Sequence, residues 1–398
     1  MRSITRARTV SAATTGLLAA AVLTACGTTG DSSDGSATAA VTQKAESGQI
    51  CSQSSTPPGY TDGVATIAGQ ATQVSGAGST FVAPMMSVWT KNYASLDGVQ
   101  VAYQSIGSGG GVAQITAKTV DFGDSDTAMS DTELAAAPGA ILHVPVVTGG
   151  VVATYNLKGV TGTLQFTGEV LGEIFAGKIT TWNDPALVEL NKDAKLPDEP
   201  IAVVHRSDGS GTTGVWTDYL TKESPQWVSA LGGATQSKGK TVAWPVGIGG
   251  KGNEGVSGAV QQTEGAIGYV ELQYALAQNL PVGLVQNKDK TKFVQPCVAT
   301  LAAAADQVTL PDDLRASITD QPGDDSYPIT GTTYVLIYQD QTDKAKGAAL
   351  VNFLSWVLTK GQDQAAALNY APLGETVQKQ AVGQLKKVTA GGSALAAS

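Results

Sequence analysis

Histidine is almost missing from this sequence: His143 and His205 are the only two among 398 residues. Three cysteines, Cys26, Cys51 and Cys297, join them without the close spacing that builds a tetrahedral zinc site. A hydrolytic centre needs a base beside its nucleophile or a pair of metal ions, and neither histidine has an evident partner. His143 lies inside an apolar run and reads as a satisfied core residue. The G-x-S-x-G elbow of serine hydrolases is absent as well, since its nearest match, GVSGA at 255–259, lacks the final glycine. The phosphate-gripping loop of nucleotide hydrolases fails at GIGGKGN, 247–253, where no Ser or Thr follows the lysine. These gaps argue against an enzyme and against a metal or organic cofactor.

Positive charge is scarce too, with 25 basic against 34 acidic residues and a net charge of −9. Three of the basic residues, Arg2, Arg6 and Arg8, precede the apolar stretch VSAATTGLLAAAVLTA. That stretch is short for a membrane span and fits a secretory leader over residues 1–25. It ends in Leu23-Thr24-Ala25-Cys26, which resembles a bacterial lipobox, so Cys26 is expected to become a lipidated N-terminus held on the membrane. Loss of the three arginines and of no acid takes the mature charge from −9 to −12. Such a surface excludes nucleic acid and polybasic-type membrane binding. Cys51 and Cys297, outside the cytoplasm, read as a disulfide pair, the alternative being two free thiols.

Glycine, by contrast, is abundant, at 47 residues. Residues 27–60 combine Ser, Thr, Gly, Ala and Asp with almost no large apolar groups, and a flexible tether is expected over 26–71. Strands and helices then alternate, the mark of an α/β sheet. ATQVSGAG and VQVAYQSIG read as strands. FVAPMMSVWTKNYASL has helical spacing, with Met85, Met86 and Trp89 as helix core. SDTELAAA carries helix-start chemistry at Ser130 or Asp131 with Glu133. AILHVPVVTGGVVATYNL reads as a long β run broken at Gly149-Gly150. A second α/β section follows, and the chain returns to strand at PITGTTYVLIY and to helix at AALVNFLSWVLT.

Three loops have the same make-up, namely SGAGSTF (75–81), SIGSGGGV (105–112) and HRSDGSGTT (205–213). Each follows a strand and opens a helix. Glycines let backbone N–H groups converge, hydroxyls add donors, and a helix N-terminus favours negative charge. Arg206 adds a planar guanidinium fork suited to a tetrahedral oxyanion, and Asp208, two residues on, is placed to hold it. The pattern points to anion binding without chemistry.

The sequence resembles the PstS-type phosphate-binding proteins, the extracytoplasmic substrate receptors of phosphate ABC importers. GAGSTF, IGSGGGV, VDFGDSD, GEIFAGKITTWND, HRSDGSGT, WPVGIGGKGNEGV, GAIGYVE and PITGTTYVLI carry the likeness, in order, from residue 76 to about 340. The resemblance implies a two-lobed α/β fold of the type II periplasmic-binding-protein kind, with a hinge and an interlobe cleft. It implies a first lobe at 72–147 and 328–398 and a second at 148–327. It implies phosphate ligands Thr80, Phe81 through its backbone N–H, Ser108, Asp126, Arg206, Ser210, Gly211 and Thr212, with Asp208 orienting Arg206. Inorganic phosphate and the membrane-embedded permease subunits are the implied partners. Asp124 departs from the pattern by adding a second acid, and it is expected to point to solvent. The readings left open are a receptor for another oxyanion, such as sulfate or molybdate, and a secreted phosphatase-like enzyme on a related fold.

Overall fold

The computed structural model describes Cys51 and residues 61–396. Cys26, the expected leader and most of the expected tether lie outside these residues. The main strands are β1 (Gln73–Gly78), β2 (Gln100–Ser105), β3 (Phe122–Ser125), β4 (Ile141–Asn156), β5 (Ala202–Arg206), β6 (Ile248–Gly250), β7 (Ala266–Glu271) and β8 (Thr330–Tyr338). They form one eight-stranded sheet in the spatial order β2-β1-β3-β8-β4-β7-β5-β6. Strands β1, β2 and β3 are mutually parallel, as are β5, β6 and β7. The helices used below are α1 (Ala83–Asp97), α2 (Ser108–Thr116), α3 (Asp131–Ala136), α4 (Gly211–Glu223), α5 (Gly252–Gln262) and α6 (Lys344–Leu358).

Local chemistry explains the ends of several helices. Pro84 stands in the first turn of α1, and Gly98 closes it with a left-handed φ of 74°. Met86, Trp89 and Tyr93, spaced three and four apart, are its buried residues together with Met85. Ser130 and Glu133 form a capping box at the start of α3.

The molecule has two lobes, and β4 passes through both. From Ile141 to Gly150 it pairs antiparallel with β8; from Val151 to Asn156 it pairs antiparallel with β7. The break expected at Gly149-Gly150 is therefore not a break in the strand. Neither glycine adopts a positive φ. What the position needs is room: a Cβ on Gly149 would lie 2.6 Å from the Phe81 ring, and one on Gly150 would lie 2.9 Å from Leu301. Two glycines that look like a turn in sequence admit neighbouring side chains instead.

The tether also ends sooner than expected. Residues 64–71 are tied to α6: the Val64 N–H donates to Ser355 Oγ at 2.8 Å, the Ile67 N–H to Asn352 Oδ1 at 2.9 Å, and the Ala71 N–H to the Ala345 carbonyl at 2.8 Å. Backbone groups paired in this way behave as part of the body. Cys51 is disulfide-bonded to Cys297, with Cα atoms 5.6 Å apart.

Candidate functional site

Parallel strands bring their carboxyl ends to one edge, where the loops that follow them meet. Ser79-Thr80-Phe81 leaves β1, Gly107 leads from β2 into α2, Asp126 follows β3, and Ser207–Ser210 joins β5 to α4. The three glycine- and hydroxyl-rich loops thus converge, the first two from one lobe and the third from the other.

Arg206 is 3% exposed. Its Nε and Nη2 atoms donate to Asp208 Oδ1 and Oδ2 at 2.8 and 2.6 Å, a two-pronged match of planar groups. Asp208 Oδ1 also accepts the Gly252 N–H at 3.0 Å. Burial works to raise the Asp208 carboxyl, but the bonds and charge of Arg206 and the Gly252 N–H outweigh it and hold the group below its usual range. The remaining guanidinium nitrogen, Nη1, reaches Thr212 Oγ1 at 3.3 Å. Ser210 caps α4 by accepting the Thr213 N–H at 3.0 Å.

Asp126 stands opposite, 3% exposed. Its Oδ1 accepts from Ser79 Oγ at 2.5 Å and Thr333 Oγ1 at 2.9 Å; its Oδ2 accepts from Ser108 Oγ at 3.2 Å. Burial raises its carboxyl above the usual range, and the Ser79 and Thr333 bonds, the Arg206 charge and the Ser108 bond offset that rise only in part. With two donors on Oδ1 and one on Oδ2, Oδ2 keeps a free lone pair. Gly211 lies directly against this pair: a Cβ there would sit 2.5 Å from both Asp126 Oδ2 and Ser108 Oγ.

Thr80, Ser108, Asp126, Arg206, Gly211 and Thr212 therefore form one connected cluster. Two expected ligand groups are engaged within the protein. The Phe81 N–H donates to Ser79 Oγ at 2.9 Å, and the Ser108 hydroxyl to Asp126. Sequence reasoning missed Ser79, Thr333 and Asn253. Ser79 adjoins Thr80 and belongs to the same hydroxyl signal. Thr333 comes from β8 and Asn253 from α5; both lie in stretches that carry the family likeness, PITGTTYVLI and WPVGIGGKGNEGV, but nothing in those stretches singled them out. Asn253 Nδ2 donates to Thr80 Oγ1 and Thr212 Oγ1 at 2.8 and 3.2 Å.

Asp124 overturns its expectation. It is fully buried, and neither carboxylate oxygen has a hydrogen-bond partner among the described residues. It alternates with Phe122 on one face of β3, and that face is covered: Phe122 is fully buried and stacks on Tyr103. Burial first, then the Asp126 charge, raises the Asp124 carboxyl well above the carboxylate range.

A cleft of about 740 Å³ opens beside Asp126, lined from both lobes by Glu133, Gly214, Lys240, Arg315 and Thr332 among others. Lys240 spans it to pair with Glu133 at 2.9 Å. The Gly109 N–H donates to the Gly209 carbonyl at 2.9 Å, a backbone-to-backbone link between lobes.

Residues 63–360 match the model of the PBP superfamily domain. The phosphate-binding protein PstS of Xylella fastidiosa (strain Temecula1) is 43% identical over 311 residues, covering 77% of this chain and 83% of that protein. The phosphate-binding protein PstS of Pasteurella multocida is 42% identical over 320 residues, covering 80% of this chain and 91% of that protein. Among solved structures, the phosphate-binding protein from Stenotrophomonas maltophilia superposes with a TM-score of 0.61 at 20% identity, over 79% of this chain and 94% of that one. At that identity the likeness concerns the fold.

Proposed function

The chain belongs to the PstS family of phosphate-binding proteins, within the PBP superfamily, and on that premise we propose that it is an extracytoplasmic receptor that binds inorganic phosphate and delivers it to the permease of an ABC importer. The observation that carries the reading is the pairing of opposites in one dry site. Arg206 supplies a fixed cation, and Asp126 faces the same cluster as an acceptor with a lone pair to spare on Oδ2.

A fully ionised oxyanion gains from Arg206 and loses at Asp126. An anion that retains a proton gains at both, because its O–H can donate to Oδ2. Phosphate has that proton at neutral pH and sulfate and molybdate do not, and this favours phosphate over those fully ionised oxyanions. Thr80, Thr212, Ser210 and the first N–H groups of α4, beginning at Gly211, supply donors for the other oxygens. Ser108 and the Phe81 N–H join by giving up their present partners. The ligand groups come from both lobes, so closure of the cleft assembles the site.

We assign residues 1–25 to a removed leader and Cys26 to a lipid anchor on the outer face of the cell membrane, with the lobes dividing near 147 and 328. Calorimetry on the mature chain with phosphate, sulfate and molybdate tests the central reading. Phosphate should bind tightly and the other two weakly. Equal affinity for all three would defeat it.

A further inference from the structure

Asn253 is the second residue of α5, and its carboxamide can face only one way. The Oδ1 atom accepts the Glu271 backbone N–H at 3.0 Å, so Nδ2 points at the site. From there it donates to Thr80 Oγ1 at 2.8 Å and to Thr212 Oγ1 at 3.2 Å. Each threonine oxygen receives a second N–H. Thr80 Oγ1 accepts the backbone N–H of Asn253 at 3.2 Å, and Thr212 Oγ1 accepts Arg206 Nη1 at 3.3 Å.

A hydroxyl has two lone pairs and one proton. On both threonines the two lone pairs are taken by N–H groups that cannot accept in return. Only the O–H remains, and it can only donate. Thr80 and Thr212 are buried, so water does not compete for these bonds.

We infer that Asn253 is a positioning residue that fixes Thr80 and Thr212 as obligatory hydrogen-bond donors toward the bound anion. This rests on the phosphate-receptor reading and adds to it. The site then has two walls of opposite character: donor-only at Thr80 and Thr212, acceptor-only at Asp126. An anion must turn unprotonated oxygens to the first wall and its O–H to the second. Thr80 belongs to the first lobe, and Asn253 and Thr212 to the second. The polarity of Thr80 is therefore set only when the lobes meet, which couples closure to recognition.

The test is a double-mutant cycle read by phosphate titration. Asn253→Ala is expected to weaken phosphate binding about tenfold in the wild-type background. In a Thr80→Val, Thr212→Val background the same change is expected to cost less than twofold, because no hydroxyls remain to be oriented. Thr80→Ser and Thr212→Ser, which keep the hydroxyl, should stay within threefold of wild type. A loss from Asn253→Ala that is equal in both backgrounds, or under twofold in the wild type, overturns the inference while leaving phosphate binding intact. Absence of phosphate binding by the wild-type chain overturns both. If Asn253→Ala does not fold, Asn253→Ser, which keeps an acceptor for the Glu271 N–H, takes its place in the cycle with the same criteria.

Discussion

Gly109 and Gly209 meet backbone to backbone across the cleft, the N–H of one donating to the carbonyl of the other at 2.9 Å. A Cβ on Gly109 would lie 3.0 Å from the Gly209 Cα and 3.2 Å from its carbonyl oxygen, and neither is the movable end of a side chain. Gly109→Ala should therefore hold the lobes apart. Alanine is the better helix former by about 1 kcal/mol, so the unliganded protein should melt no earlier than wild type. Phosphate affinity should fall about tenfold. Unchanged affinity in titration would show that this contact is not needed for closure.

Arg206 offers its charge and its geometry separately to mutation. Arg206→Lys keeps the cation but loses the two-pronged match to Asp208, so the ammonium is no longer aimed. Arg206→Ala removes both. Each should cost at least tenfold in phosphate affinity, about 1.4 kcal/mol, with alanine the worse. Wild-type affinity in Arg206→Ala would put the anion elsewhere.

Asp126→Asn should alter selectivity more than shape. The amide can donate to a sulfate oxygen where the carboxylate repels it. A site built around a ligand hydroxyl can reject the analogue lacking it by roughly 10⁴ to 10⁵. The ratio of phosphate to sulfate dissociation constants, at fixed pH and salt, should move toward sulfate in the variant. Arsenate, protonated like phosphate, should remain a competitor of the wild type.

Asp124→Asn should change stability as a function of pH. The folded protein holds the Asp124 proton more tightly than the unfolded chain, since burial and Asp126 raise its pKa well above 3.8. The folded state therefore binds more protons once pH exceeds 3.8, and the stability tied to this group declines as pH rises toward the folded pKa. Asparagine does not titrate. The variant should match wild type near pH 4 and melt at a higher temperature at pH 8. Parallel melting curves across that range would mean that Asp124 finds a partner for its charge.

How much of the fold and the site is legible in residue order depends on distance along the chain. The convergent loops, the Arg206–Asp208 pair and the helix starts rest on neighbours within a few positions, and their chemistry is visible locally. Asn253 is invisible there because its partners are 173 and 41 residues away. Asp124 misleads for a related reason. Period-two spacing says that it shares a face with Phe122 and Asp126, but not what covers that face. Gly149-Gly150 misleads because a glycine pair signals a turn locally, whereas here the Phe81 and Leu301 side chains demand it.

The strand order sets a schedule for folding. β8, at residues 330–338, lies between β3 and β4, so the first lobe lacks a central strand until nearly the whole chain has emerged. The second lobe draws β5, β6 and β7 and the end of β4 from one continuous stretch, with all of its strand partners in place before β8 is made. A chain delivered N-terminus first therefore completes its lobes in reverse of their order of appearance. Until β8 arrives, β3 and β4 expose unpaired edges, a state open to misassociation. Truncation ahead of residue 330 should leave a folded second lobe attached to an unfinished first one.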